Sequence, residues 1–83
     1  MELKYDFAIQ EIADRFVAVA RDKDTEKVKK VFRLNATGAL ILQDLQDGKN
    51  EEEIVADLTS KFTVEATQAK EEMVAFLEMV KNI

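Results

Sequence analysis

The stretch Lys27-Val28-Lys29-Lys30-Val31-Phe32-Arg33-Leu34-Asn35, running directly into Ala36-Thr37-Gly38-Ala39-Leu40-Ile41-Leu42, decides the fold. In its first part Lys30, Phe32 and Leu34 fall on one face of an extended chain, and Lys29, Val31 and Arg33 on the other. In its second part Ala39, Leu40 and Leu42, with Leu45 beyond, recur at helical spacing, and Asn35 or Thr37 can cap the helix they define. The chain thus passes from strand to helix with no intervening loop.

Upstream, the pattern is that of strands. Phe7 to Ile12 is apolar and mostly alternating, and Arg15-Phe16-Val17-Ala18-Val19-Ala20-Arg21 is rich in β-branched and aromatic residues. Ala13-Asp14 between them is short enough for a two-residue hairpin turn, and Asp tolerates the positive φ such a turn needs. Asp22 to Glu26 is a polar connection to the third strand. Downstream, the pattern is that of helices. The first ends at Gly48. Asn50 caps the second, with Glu53 three residues on as in a capping box, and Ile54, Val55, Leu58 and Phe62 form its apolar stripe. After a break at Thr63-Val64, the third carries Ala66, Ala69, Met73, Phe76, Leu77 and Val80 on one stripe, with Val74 and Met79 off it. The expected fold is α+β: a three-stranded antiparallel meander over about residues 5–35, its third strand at an edge, then three helices over about residues 37–82. The whole of 1–83 reads as a single winged-helix-like domain.

Composition removes most catalytic chemistry. With no His and no Cys among 83 residues, the commonest general base, the commonest metal ligands and the thiol nucleophile are missing. Only Gly38 and Gly48 are glycines, so no phosphate-cradling loop exists. The carboxylates show no spacing that singles out an acid–base pair. No enzyme, cofactor or metal site is expected. No apolar run approaches the ~18 residues of a membrane span, and MELKYDFAIQ lacks the pattern of a signal peptide. The expected location is the cytoplasm.

Charge then separates two uses of such a fold. Residues 1–42 carry eight basic and seven acidic side chains, a net of +1; residues 43–83 carry four and ten, a net of −6, which together make the −5 of the chain. The third helix would be the recognition helix of a DNA-binding winged helix. Its first turns, Glu65-Ala66-Thr67-Gln68-Ala69-Lys70-Glu71-Glu72, hold three carboxylates and one lysine and would repel phosphates. Nucleic acid is not the expected partner, and neither is a membrane. The basic charge is concentrated on one strand, at Lys27, Lys29, Lys30 and Arg33. Lysines there protect an edge from aggregation, or they meet an acidic peptide that adds to that edge by β-augmentation.

The residues Phe32-Arg33-Leu34-Asn35-Ala36-Thr37-Gly38-Ala39-Leu40-Ile41-Leu42, then Leu45-Gln46-Asp47-Gly48, resemble the coenzyme PQQ synthesis protein D (PqqD) family, with its Leu-Asn-x-Thr-Gly junction from last strand to first helix. The resemblance runs on through Glu52 to Leu58, Phe62 and Val64, and Phe76-Leu77, and backwards to Phe7-Ala8-Ile9 and Phe16 to Val19. It implies a non-catalytic peptide chaperone, a recognition element for ribosomally made, post-translationally modified peptides. Such a protein binds the leader of a precursor peptide and delivers it to a modifying enzyme, often a radical SAM enzyme, in the biosynthesis of PQQ or another modified peptide. Carried onto this chain, the peptide-binding groove would use Lys29, Lys30, Val31, Phe32 and Arg33, with Met73, Phe76, Leu77 and Val80 from the last helix. The alternatives are a self-associating oligomerisation module, a homodimer through its open edges, and, behind it, a winged-helix DNA-binding protein.

Overall fold

The computed structural model describes residues 5–82; the reading of the N-terminus as lacking a signal sequence rests partly on residues 1–4, outside that range. Strands β1 (Tyr5–Ile12), β2 (Arg15–Asp22) and β3 (Val28–Leu34) are followed by helices α1 (Ala36–Gln46), α2 (Glu51–Lys61) and α3 (Ala66–Lys81). The sheet is open and antiparallel in the order β1-β2-β3, so the α+β meander-then-helices architecture is as expected.

Each junction follows from local chemistry. Ala13 and Asp14 both adopt positive φ, 48° and 66°, and Ile12 pairs with Arg15 across them, the geometry that matches the twist of a two-residue hairpin. In the β2–β3 connection the Asp22 carboxylate accepts from the N–H groups of Asp24 and Thr25, at 2.9 and 3.2 Å, which holds it below its ordinary pKa. Of the two candidate caps, Asn35 is the one used: its side chain accepts from Gly38 N–H at 2.7 Å, and Thr37 donates its hydroxyl to the same Asn35 oxygen. Gly48, at φ 80°, ends α1 in a Schellman turn, with Lys49 N–H bonded to Asp44 C=O and Gly48 N–H to Leu45 C=O. Asn50 and Glu53 form the reciprocal capping box. The start of α3 at Glu65 has no side-chain cap.

Two apolar clusters hold these elements together. Phe7, Ala18, Ala20 and Leu34 from the sheet pack with Ala39, Leu42 and Val80. Ile41, Leu45, Ile54, Leu58, Ala69, Met73 and Leu77 pack between the three helices. Phe76 touches both clusters. The α1–α2 corner adds one polar feature the sequence did not flag. Asp44, buried at 2% exposure, faces the Lys49 ammonium at 3.4 Å, and Lys49 reaches Asp57 on α2 at 2.7 Å. Desolvation and the nearby Asp57 raise the Asp44 pKa, whereas the Lys49 hydrogen bond lowers that of Asp57.

Candidate functional site

An open three-stranded sheet has two edges, and the structure treats them differently. On β1 the Phe7 N–H is satisfied by the Gln46 side-chain oxygen of α1, at 2.9 Å. No side chain accepts in this way from a β3 amide among the described residues. That Phe7 N–H also sets the phase of the ladder. It points away from β2, so Phe7–Ala20 is a non-hydrogen-bonded pair. Ala20 must then turn its peptide groups toward β3, where it pairs with Lys30. Lys30, Phe32 and Leu34 consequently spend their backbone groups on β2, and Val31 and Arg33 direct theirs outward. The free row on β3 belongs to Val31 and Arg33.

The same strand carries a β-bulge. Arg21 pairs with Val28 and Ala20 with Lys30, which leaves Lys29 without a partner. The other side chains of β3 divide between the two faces of the sheet. Lys30 is exposed and Phe32 half-buried on the helix-covered face, where the Phe32 ring meets that of Phe7 edge-on at 6.2 Å. Val31 and Arg33 are exposed on the opposite, outer face.

Where β3 ends, a cleft begins. Asn35, Thr37, Gly38 and Ile41 of α1 and its cap form one wall; Glu72, Ala75, Phe76 and Met79 of α3 form the other, around a volume of about 290 Å³. Gly38 permits this close approach. A Cβ there would stand 3.1 Å from the Phe76 ring and 2.9 Å from the Asn35 side-chain oxygen. One carboxylate oxygen of Glu72 is shut away from solvent with no hydrogen-bond partner. A larger depression, about 710 Å³, lies over Thr67, Lys70, Glu71, Val74, Ala75 and Glu78. All of these come from one helix, so it has no second wall with which to grip a chain.

Of the residues predicted from sequence, Lys29, Lys30, Val31, Phe32, Arg33 and Phe76 present surface at or beside the β3 edge and the cleft. Met73, Leu77 and Val80 do not: Met73 is fully buried and the other two nearly so. They build the wall from behind, Met73 and Leu77 against the other helices and Val80 against the sheet. Asn35, Thr37, Ile41, Glu72 and Ala75 were not singled out as groove residues. Of the cleft residues, Phe76 is expected from sequence as a groove residue and Met79 stands out there as lying off the apolar stripe.

A small α+β domain whose open β3 edge leads to an interhelical cleft is a clamp in form. The family model for coenzyme PQQ synthesis protein D (PqqD) matches residues 16–82, and the chain belongs to that family. Two solved structures share the fold over almost the whole chain. TbiB1 in complex with the TbiA(beta) leader peptide is 26% identical, with a TM-score of 0.72 over 99% of this chain and 90% of that one. A lasso peptide synthetase B1 complexed with the leader peptide is 27% identical, with a TM-score of 0.71 over 98% of this chain and 89% of that one. No curated protein matches.

Proposed function

We propose that this chain is a non-catalytic recognition element that takes the leader segment of a ribosomally made precursor peptide as a fourth strand beside β3 and presents it to a peptide-modifying enzyme, of which radical SAM enzymes are the class the family resemblance suggests. One observation carries the reading: the β3 edge, with its Val31 and Arg33 backbone groups unclaimed, leads straight into the cleft between α1 and α3. An added strand lies ~4.8 Å from its neighbour. Its backbone supplies affinity, and its alternate side chains meet either Phe32 and Phe76 on the helix side or Val31 and Arg33 on the outer side. The two similar proteins solved with leader peptides support the assignment. Lys29, Lys30 and Arg33 favour a leader with acidic residues, chiefly through its rate of association. A one-strand interface of this kind is expected to bind at about micromolar Kd, roughly −8 kcal/mol.

The test is a proline pair on β3 and a titration with the precursor peptide encoded beside this chain's gene. Val31→Pro and Arg33→Pro remove an outward N–H without touching the ladder to β2. They should leave the circular dichroism of a folded domain and weaken the peptide by tenfold or more, about 1.4 kcal/mol for the bonds lost. Lys30→Pro and Phe32→Pro remove ladder bonds and should unfold it. Folded Val31→Pro and Arg33→Pro variants with full affinity would refute strand addition at this edge.

A further inference from the structure

The central strand is apolar on both sides. Phe16-Val17-Ala18-Val19-Ala20 reads as the continuous run of a strand covered on both faces, whereas an antiparallel strand with one wet face alternates. Only one face is covered. Ala18 and Ala20 lie under the helices at 0% exposure, while the register puts Ala8, Val19 and Val31 in one row across the outer face, with Gln10, Val17 and Arg33 on one side of it and Asp6, Arg21 and Val28 on the other. Ile12, Val28 and Val31 are more than half exposed, and all three lie on this face. No helix packs there among the described residues. An uncovered valine patch at the centre of a sheet marks an interaction surface.

The rim identifies what covers it. Arg15, Arg21 and Arg33 stand around the valines, with Asp6 opposite Arg21 as the single acid on the face. A second copy using the same face would bring six arginines into one interface with only two carboxylates, Asp6 from each copy, to offset them. Nucleic acid would meet the cations but leave the valines without an apolar partner. The chemistry that fits is a protein surface with an apolar centre and a carboxylate rim. The face is also continuous with the β3 edge, since Val31 and Arg33 turn backbone groups to that edge and side chains to this face.

We propose that the outer face of the sheet, centred on Val17, Val19 and Val31 and rimmed by Arg15, Arg21 and Arg33, docks the peptide-modifying enzyme through an acid-rimmed apolar patch on that enzyme. This rests on the peptide-clamp reading for the identity of the partner. The leader and the enzyme would then sit on adjoining surfaces of one sheet, so that a leader paired to β3 emerges at the margin of the docked enzyme.

The experiment uses the chain with its valine methyl groups labelled, the precursor peptide encoded beside its gene, and each purified modifying enzyme encoded there. Val17 and Val19 lie on β2, away from the β3 edge, and report the face alone. They should broaden on addition of one enzyme, and that complex should weaken with salt. Arg15→Glu with Arg21→Glu, a surface-charge change that leaves the valines in place, should weaken enzyme binding at least tenfold while leader affinity stays within twofold. Val19→Asn should do the same through the apolar centre. The docking surface is refuted if enzyme binding perturbs only the helices, if these variants bind the enzyme like the parent, or if no enzyme binds. It is refuted in favour of a second copy if the valine signals shift with the concentration of the chain alone and sedimentation shows a doubled mass. Loss of peptide binding with Val17 and Val19 still responding to the enzyme would sink the clamp and leave the docking surface standing.

Discussion

The two apolar clusters are made of different material. Between the helices, Ile41, Ile54, Leu58 and Met73 are large, flexible or branched, and have essentially no contact with water. Under the sheet, Leu42 is the one large side chain fully buried; the other fully buried positions are the small residues Ala18 and Ala20, and the aromatic rings of Phe16, Phe32 and Phe76 are only partly covered. The helical cluster is closed and serves as scaffold. On the β1 side of the sheet cluster Gln46 takes up the outward Phe7 N–H, whereas on the β3 side Phe76 and the cleft remain in reach. A domain this small has little stability to spare, and its large closed core lies away from the open β3 edge.

That division can be broken from either side. Leu58→Ala, in the closed cluster, should cost about 2–5 kcal/mol by urea denaturation, while the fraction that remains folded binds peptide normally. Gly38→Ala strikes the junction of the two regions. Pushing a methyl against Phe76 and the Asn35 cap should cost about 1–3 kcal/mol and weaken the peptide as well, a coupled loss that Leu58→Ala must not show. Asn35→Ala removes the α1 cap at the cleft mouth, for about 1 kcal/mol in the same denaturation assay. The smallest effect is pH-dependent. Asp57 has a lowered folded pKa, so its contribution is present above the unfolded carboxylate value and lost as pH falls through the folded one. The stability gap between the parent and Asp57→Asn should therefore be full at neutral pH and close below the usual carboxylate range, with peptide affinity at neutral pH untouched.

Much of this was legible in the residues. The hairpin at Ala13-Asp14, the caps at Asn35 and Asn50 and the stop at Gly48 are local devices, and local chemistry is what a sequence states directly. The stripe on α3 was also visible, but a stripe says only that a face is covered, not by what. Met73, Leu77 and Val80 therefore read as groove residues, and the structure buries all three; Glu72 and Ala75, one step around the helix, line the cleft without a signal in the stripe. The Lys29 bulge and the phase of the β3 hydrogen bonds depend on register, which no single strand encodes. Asp44 was invisible for a different reason: its burial depends on Lys49 folding back through the Schellman turn to face it.

The bulge makes β3 a ruler. Beyond Lys30 the spacing of the strand is broken, so a chain paired alongside finds even register only from Lys30 to Leu34. At about 3.4 Å per residue that is roughly 17 Å. A guest of about five residues fits that measure, and a long β-prone chain gains nothing from its extra length, which denies an exposed edge the endless template on which fibrils grow.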